Sequence, residues 1–433
     1  MVLVAAWEAL GGDPGLTSLV TGRGETGLDS RLAVGELALG AVGAQRLAAE
    51  ELRKGANPRQ PIIVDARHVG LAFRSERFCL LDGEPTGAGF APLSRFVETA
   101  DGWVRLHANY PHHERALHRA LGPDPVAAAA ERTGAEVEDA VVAAGGVAAA
   151  VRTEHEWAAS DAGSAVRALP VLRLAQVGDG PTRVPRLDGL RVLDLTRVIA
   201  GPVGTRTLAS YGADVLRLDS PHLPEDAATL LDTGPGKRHA QLDLASADGR
   251  ERFEDLLDGA DVLVQGYRPG ALDRFGLSPA ELAERRPGLV VVSLSAWGAA
   301  GPWAGRRGFD SIVQAATGIA DATRADDGTP GVLPAQALDH AAGHLVAAAV
   351  MRAVTETGRA GGTWHADLSL AQLATWLLAA PRSADAGPPD APDPAPYLVD
   401  LPSPSGTVTL VRPPGSPVWR HGPVPSGYDE SAW

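Results

Sequence analysis

From about residue 189 onward, the sequence alternates short apolar runs with segments whose apolar residues recur at helical spacing. The apolar runs predict five strands: LRVLDL (190–195), ADVLRLDSP (213–221), HAQLDL (239–244), DVLVQGY (261–267) and LVVVSLSAWG (289–298). Helices are predicted between them at 202–212, 246–260 and 278–288, with Ser246 and Ser278 as N-caps. Because uniformly apolar strands joined through helices are typical of a parallel sheet covered on both faces, the alternation predicts a doubly wound, Rossmann-like α/β large domain.

The rest of the chain has a different pattern. Residues 1–180 are helix-rich, with a strand-like segment at 101–110 and an alanine-rich helical run at 126–150, and they predict an N-terminal helical segment with a smaller α+β domain. A linker rich in proline and glycine is expected at 176–188. Residues 187–380 then form the large domain. Residues 381–433 are rich in proline and predict a mostly irregular tail, with one strand at 406–411.

Composition excludes several classes of function. The net charge of −14 disfavours non-specific binding to nucleic acid or to an anionic membrane. The single cysteine, Cys79, excludes a disulfide within the chain and a cysteine-based zinc site. The first residues lack the basic start of a signal peptide, and no apolar stretch is long enough to span a membrane. We therefore expect a cytoplasmic protein, and the high content of Ala, Gly, Arg and Pro is typical of a GC-rich bacterial genome.

A weak internal repeat relates the two ends of the chain. Residues 34–52 followed by 61–73 resemble residues 342–354 followed by 362–378, and both pairs predict an alanine-rich helix, a strand and a second helix. In this alignment Arg31 stands at the position of Asp339. The alternative interpretation is that two alanine-rich helices resemble each other only in composition.

The carboxyl ends of the predicted parallel strands are the expected place for a ligand. The first turn between a strand and a helix reads TRVIAGPVG (196–204), which lacks the glycine pattern of a dinucleotide site but can offer N–H groups to an anion. Basic and aromatic side chains in the following loops are candidates for holding a phosphorylated ligand: Lys237, Arg238, Tyr267, Arg268, Arg274, Arg306 and Arg307. For any single one of them, a solvated surface charge is the alternative.

One acid, Asp339, lies at the predicted start of an apolar helix, in the segment LPAQALDHAAGHL (333–345). It is interpreted as a helix cap, as a catalytic nucleophile, or as both, because the helix terminus would keep its carboxylate ionised. The sequence has no G-x-S-x-G, Walker or H-E-x-x-H motif. His112, His113 and His118 lack a convincing spacing for a metal, so no metal site is predicted.

Five motifs, in this order, resemble the large domain of family III CoA-transferases, the group of formyl-CoA and carnitine CoA-transferases. They cover about residues 187 to 378: LDGLRVLDLTRVIAGPVGTRTLASYGADVLRLDSP, GKRHAQLDL, DVLVQGYRPGALDRFGLS, PGLVVVSLSAWGAAGPWAGRRGFDSIVQAATG and QALDHAAGHLVAAAV. Alpha-methylacyl-CoA racemases have the same fold and are the close alternative.

The resemblance implies a mechanism and a set of site residues. Asp339 falls on the family's catalytic aspartate, which forms an aspartyl anhydride and then an aspartyl-CoA thioester. CoA contacts are implied for Val198, Ile199, Ala200, Lys237, Tyr267 and Arg274. The resemblance further implies acyl-CoA and a carboxylic acid as substrates, no permanently bound cofactor, and a homodimer.

One difference from the racemases and one departure from the family's domain order bear on function. The racemases use a histidine in a G-H-D segment, whereas this sequence has Phe309 there, which cannot exchange a proton and so favours a transferase. The segment at 89–107 resembles the start of the family's small domain, yet it precedes the large domain. The TGAG segment (86–89) before it, with Gly87 and Gly89, matches a glycine loop that covers the anhydride. A trimmed tandem duplication explains this order, and a non-catalytic CoA-binding protein is the third alternative.

Overall fold

The computed structural model describes residues 2–54, 60–87, 89–382 and 393–433. Its strands are β1 Val20–Arg23, β2 Ile62–Asp65, β3 Leu80–Leu81, β4 Glu84–Pro85, β5 Phe96–Thr99, β6 Gly102–Leu106, β7 Ala148–Ala150, β8 Leu172–Gly178, β9 Arg191–Leu195, β10 Asp214–Asp219, β11 Lys237–Gln241, β12 Val262–Gln265, β13 Val290–Ser295, β14 Thr363–Ser369, β15 Leu398–Ser403 and β16 Gly406–Val411. Its α-helices are α1 Val2–Ala9, α2 Val34–Lys54, α3 Ala66–Ala72, α4 Pro111–Leu121, α5 Pro125–Ala130, α6 Gly134–Ala143, α7 Glu154–Ala159, α8 Asp161–Arg167, α9 Ala200–Ser210, α10 Ala227–Thr233, α11 Ala247–Gly259, α12 Pro279–Arg285, α13 Asp310–Thr317, α14 Ile319–Ala322, α15 Ala337–Ala360 and α16 Leu370–Ala379.

A seven-stranded sheet forms the centre of the large domain, in the order β11-β10-β9-β12-β13-β14-β8. All neighbouring strands run parallel except β8, which pairs antiparallel with β14 at one edge. Val192 and Val262 on one face pack with residues of α9 and α15, whereas Leu193 and Leu263 on the other pack with residues of α11 and α12. The predicted doubly wound α/β fold is confirmed, as are the N-caps Ser246 and Ser278.

The prediction of a linker at 176–188 is wrong for its first three residues. These residues end strand β8, where Gln176 lies opposite Trp364 and Gly178 opposite Thr363. Alternation of apolar and polar residues in LRLAQVG was the available signal for a strand.

A smaller antiparallel sheet, β5-β6-β7, is covered by α4, α5 and α6 and has its own apolar core. The predicted helical run at 126–150 is therefore only partly correct. Helices α5 and α6 occupy its first part, but Ala148–Ala150 form strand β7. Pairing of Ala148 with Leu106 satisfies the backbone there, so tertiary contacts override the helix propensity of alanine.

Helix α2 of the N-terminal segment packs against α15 of the large domain. A buried ion pair joins the two helices, with Arg352 Nη1 2.5 Å from Glu51 Oε2 and Arg359 Nη2 3.0 Å from Glu51 Oε1. The order α2-β2-α3 matches the order α15-β14-α16, as the internal repeat predicts.

The C-terminal residues return to the body of the protein. The predicted strand at 406–411 is confirmed as β16, and β15, which was not predicted, pairs with it. Together with β3 and β4 they form a four-stranded sheet in the order β15-β16-β3-β4. Trp419 donates its indole N–H to the carbonyl of Arg206, so even irregular parts of this segment are held in place. Within the described ranges, no helix has the length and apolar character needed to cross a bilayer.

Candidate active site

A cavity of about 760 Å³ opens at the carboxyl ends of the parallel strands. The turn after β9, the loop after β10, the loop after β12 and the segment after β13 supply most of its wall. Tyr110, directly before α4, and His112 and His113, in the first turn of α4, line it from the smaller domain. The chain runs from β9 through β10 to β11 on one side and then crosses to β12 on the other side of β9, and such a switch point is where a doubly wound sheet binds its ligand.

Asp339 lies in the first turn of α15, lines the cavity and is only 6% exposed. The cap of this helix is a different residue. Asp310 Oδ2 accepts the backbone N–H groups of Leu338 and Asp339 at 2.9 and 3.0 Å. Within the described part of the chain, the carboxylate of Asp339 forms no hydrogen bond. The prediction that Asp339 caps the helix is therefore wrong, because Asp310 already occupies that role.

The expectation that the helix terminus keeps Asp339 ionised also needs correction. Burial and the negative charge of Asp310 together raise the pKa of Asp339 well above its ordinary value. Burial raises the pKa of Asp310 to about 6, against the lowering effect of hydrogen bonds from Gln314 and the backbone. The two carboxyl groups thus compete for one negative charge.

The turn between β9 and α9 brings part of the predicted CoA-binding set to the cavity. Val198 and Ala200 line it, whereas Ile199 does not. Val198 has a φ of +67°, which is unusual for a β-branched residue. Gly343 allows α15 to approach the start of α9 closely, since a Cβ there would lie 2.6 Å from the carbonyl oxygen of Ala200. The first turns of α9 and α15 consequently lie side by side, and the first N–H groups of a helix have no partner within it.

Of the other predicted CoA contacts, Tyr267 and Arg274 line the cavity. The Arg274 guanidinium lies over the ring of Phe275, 4.6 Å from its centroid, and forms no ion pair within the described ranges. Arg268, Arg306 and Arg307 also line the cavity, but each donates to a carbonyl or a carboxylate of the chain. Arg238 is engaged elsewhere, with Asp214.

Lys237 is not at the cavity surface. Its side chain is 1% exposed, and its Nζ lies 3.1 Å from Asp194 Oδ2 and 2.9 Å from the carbonyl oxygen of Pro202. Burial lowers the pKa of Lys237 to about 8. Burial would raise the pKa of Asp194, but Lys237 and Arg217 hold it below its usual value. The structure therefore places Lys237 beneath the first turn of α9, away from a ligand in this cavity.

Phe309 lines the cavity and stacks on His107, with ring centroids 3.8 Å apart and planes at 3°. Burial lowers the pKa of His107 to about 3, so this imidazole is neutral and serves as an aromatic surface. Gly87 and Gly89 are exposed and do not line the cavity, and Ala88 between them lies outside the described residues. Among the described residues, no group of histidine, cysteine and acidic side chains is arranged to hold a metal ion.

The model of CoA-transferase family III matches residues 187–396. This region of the chain belongs to CoA-transferase family III. The resemblance found in the five sequence motifs is thereby confirmed.

Through this CoA-transferase family III region, the chain spans about half the length of the curated relatives that it matches. A probable fatty acyl-CoA transferase of Mycobacterium tuberculosis is 32% identical over 214 residues, which cover 46% of this chain and 54% of the relative. A succinate–glutarate CoA-transferase of Agrobacterium fabrum is 31% identical over 219 residues, covering 46% and 55%. A formyl-CoA:oxalate CoA-transferase of Streptomyces coelicolor is 33% identical over 186 residues, covering 40% and 45%.

Sequence reasoning on the family III region missed Asp310 and Glu225. Asp310 stands in the GFD segment, directly after Phe309, and an aspartate before an apolar run was the available signal for a helix start. Glu225 follows β10 in a polar loop that carries no motif. Its hydrogen-bond partners, Val198 and Tyr110, are 27 and 115 residues away in sequence, so no local motif indicates its role.

Proposed function

We propose that this chain is a CoA-transferase that moves CoA from an acyl-CoA to a carboxylic acid, with Asp339 as its nucleophile. The supporting observation is the Asp339 carboxylate itself. This carboxylate faces a cavity large enough for part of a CoA thioester, and it accepts no hydrogen bond within the described part of the chain. Because Asp310 binds the helix N–H groups, Asp339 is free to react.

The proposed reaction needs no reagent beyond its two substrates. A carboxylate oxygen of Asp339 attacks the thioester carbonyl carbon, the C–S bond breaks, and CoA leaves as a thiolate while an anhydride forms. The thiolate attacks the Asp339 carbonyl of the anhydride, which releases the first acid and leaves an aspartyl-CoA thioester. The acceptor carboxylate attacks the thioester carbonyl carbon, the C–S bond breaks, and CoA leaves again as a thiolate while a second anhydride forms. The returning thiolate cleaves it to the new acyl-CoA and restores the Asp339 carboxylate.

The environment of Asp339 suits a nucleophile that must also be a leaving group. Burial and the neighbouring Asp310 make its ionised form costly, so the carboxylate is more reactive than an exposed aspartate once it is deprotonated. The same surroundings favour conversion to a neutral anhydride or thioester, in which Asp339 no longer carries a charge. Asp339 must therefore be in its carboxylate form at the start of each turnover.

CoA is proposed to lie along the turn between β9 and α9, against Val198 and Ala200 and beside Tyr267. Arg274 is a cation on this wall without an ion pair in the described ranges, which suits a phosphate of CoA. In a chain with a net charge of −14, such local positive charge is needed to hold a polyanionic ligand. A covering role of Gly87 and Gly89 stays a prediction, as do the homodimer and the cytoplasmic location.

The acceptor is proposed to be a small carboxylic acid, because relatives are named for transfer between succinate and glutarate and for transfer to oxalate. A racemase is less well supported. In the segment where racemases carry a histidine, Phe309 stacks on a neutral imidazole and offers no proton acceptor.

A screen of acyl-CoA donors against carboxylic acids tests this proposal. We expect a new acyl-CoA, detected by mass spectrometry, with the wild-type protein and none with Asp339→Asn. Donors incubated in D2O provide the contrast. Incorporation of deuterium at the α-carbon without transfer would establish isomerase chemistry instead, and CoA binding with neither reaction would establish a non-catalytic protein.

A further inference from the structure

Three segments of the chain meet at one buried carboxylate. The Glu225 side chain, in the loop between β10 and α10, is 0% exposed. Its Oε2 accepts the backbone N–H of Val198 at 2.9 Å, and its Oε1 accepts the hydroxyl of Tyr110 at 2.5 Å. Val198 belongs to the turn after β9, and Tyr110 directly precedes α4 of the smaller domain. Both of these partners line the cavity, whereas Glu225 does not.

The bond to Val198 fixes a backbone conformation that valine rarely adopts. Its φ of +67° lies in the left-handed region, which is disfavoured for a side chain branched at Cβ. Such a conformation persists only where the surroundings impose it. Glu225 supplies that constraint through the N–H of the strained residue itself, immediately before α9 begins.

Two arginines complete the surroundings of this carboxylate. Arg197 Nε lies 3.4 Å from Glu225 Oε2, and the Arg197 guanidinium also lies over the Tyr110 ring, 4.9 Å from its centroid. Arg217 Nη2 lies 3.5 Å from the same oxygen and is buried. Arg217 also pairs with Asp219, at 3.1 Å. Glu225 therefore lies between two cations, and loss of this carboxylate would leave both the turn and the Tyr110 hydroxyl without their acceptor.

We propose that Glu225 is a positioning residue, which holds the turn between β9 and α9 in its ligand-binding conformation and fastens Tyr110 of the smaller domain to it. The identity of the ligand as an acyl-CoA rests on the proposed function. The clamp itself is a property of the cavity wall. Because Glu225 bonds to both, the turn between β9 and α9 and Tyr110 keep a fixed spacing. A ligand that contacts both therefore meets a preformed site.

Glu225→Gln keeps the size of the side chain but has one acceptor oxygen in place of two. We expect KM for acyl-CoA to rise about tenfold or more while kcat stays within about threefold, because ground-state binding is what the turn provides. Adding Val198→Gly should bring KM to within about threefold of the value for Val198→Gly alone, since glycine adopts a positive φ without the penalty of a side chain. Val198→Gly is the reference for the double variant because the Val198 side chain itself lines the cavity.

Glu51→Gln is the matched control, since Glu51 is a buried glutamate paired with Arg352 and Arg359 at a site away from the cavity lining. It should lower the melting temperature without changing KM. A Glu225→Gln protein that is less stable but has an unchanged KM would overturn the proposal, and so would failure of Val198→Gly to rescue it.

Hydrogen exchange separates this inference from the proposed function. The Val198 amide, in peptides covering 196–203, should exchange at least about tenfold faster in Glu225→Gln than in the wild type, with or without any CoA. If the wild-type protein neither binds nor converts an acyl-CoA, the proposed function fails and this exchange rate still decides the inference. Equal exchange in the two proteins would overturn the clamp even in an active enzyme.

Discussion

The carboxylate of Asp310 accepts the backbone N–H of Asp339 at 3.0 Å. This one contact separates two tasks that a single aspartate at a helix start would otherwise combine. Asp310 stabilises the first turn of α15, and the Asp339 carboxylate is left to face the cavity. The arrangement also places a second negative charge beside the proposed nucleophile, with consequences for its pH dependence and for stability.

Asp310→Asn tests the electrostatic part of this relationship. Formation of a covalent intermediate should speed up as pH rises through the pKa of Asp339, which burial and Asp310 raise. The asparagine oxygen can still accept the helix N–H groups, but the negative charge is gone. We therefore expect the midpoint of the pH–rate profile to fall by about one pH unit. Rapid-quench measurements from pH 5 to 9 provide the test, and an unchanged midpoint would refute the coupling. Asp321→Asn is the control, since the half-buried Asp321 pairs with Arg324 and does not line the cavity.

Asp339→Asn should stabilise the fold at high pH. Because the folded-state pKa of Asp339 lies above its unfolded value, its stability contribution is largest below the unfolded pKa and is lost as pH rises through the folded one. Removing the carboxylate abolishes that loss, which is on the order of 1–3 kcal/mol. Thermal unfolding at pH 5 and pH 8 should show a larger gain in melting temperature at pH 8. An equal gain at both values would contradict the raised pKa.

Lys237→Met distinguishes a structural lysine from a CoA ligand. The change leaves Asp194 buried without its ammonium partner and should cost about 3–5 kcal/mol. The folded fraction should keep its KM for acyl-CoA. Pairing the change with Asp194→Asn should recover much of the stability, as judged by urea unfolding. A stable Lys237→Met protein with a raised KM would show instead that Lys237 contacts CoA.

Arg274→Ala should weaken acyl-CoA selectively. If Arg274 binds a phosphate, its loss should raise KM for acyl-CoA about tenfold, equivalent to about 1.4 kcal/mol, and leave acyl-pantetheine unaffected. Steady-state kinetics with both thioesters makes the comparison. Arg285→Ala is the control, since Arg285 forms an exposed ion pair with Glu254. Equal losses for the two thioesters would place Arg274 outside the phosphate site.

Most of the parallel strands could be predicted because each contains a run of apolar residues and is bounded by turn residues, whereas β11 (Lys237–Gln241) begins two residues before its predicted start because Lys237 and Arg238 are polar. Val290–Ser295 and Arg191–Leu195 needed no tertiary information. Strand β7 could not be predicted, since the alanines at 148–150 favour a helix in isolation and become a strand only by pairing with β6.

Asp339 could be singled out from the sequence, but its chemical state could not. Its pKa depends on Asp310, which is 29 residues away, and the place of Lys237 depends on Asp194, which is 43 residues away. In both cases the deciding partner is brought near by the fold rather than by a local motif. The positive φ of Val198 is likewise set by the fold, because a valine in the sequence does not predict a left-handed backbone conformation.

In the proposed mechanism, everything depends on the Asp339 carboxylate forming a covalent intermediate with CoA. The most direct test is the intact mass of the protein after incubation with an acyl-CoA and no acceptor, followed by peptide mapping. We predict that the wild-type chain gains the mass of one CoA less one water, that the adduct maps to Asp339, and that Asp339→Ala gains nothing. An adduct that persists in Asp339→Ala, or transfer activity in that variant, would contradict the account.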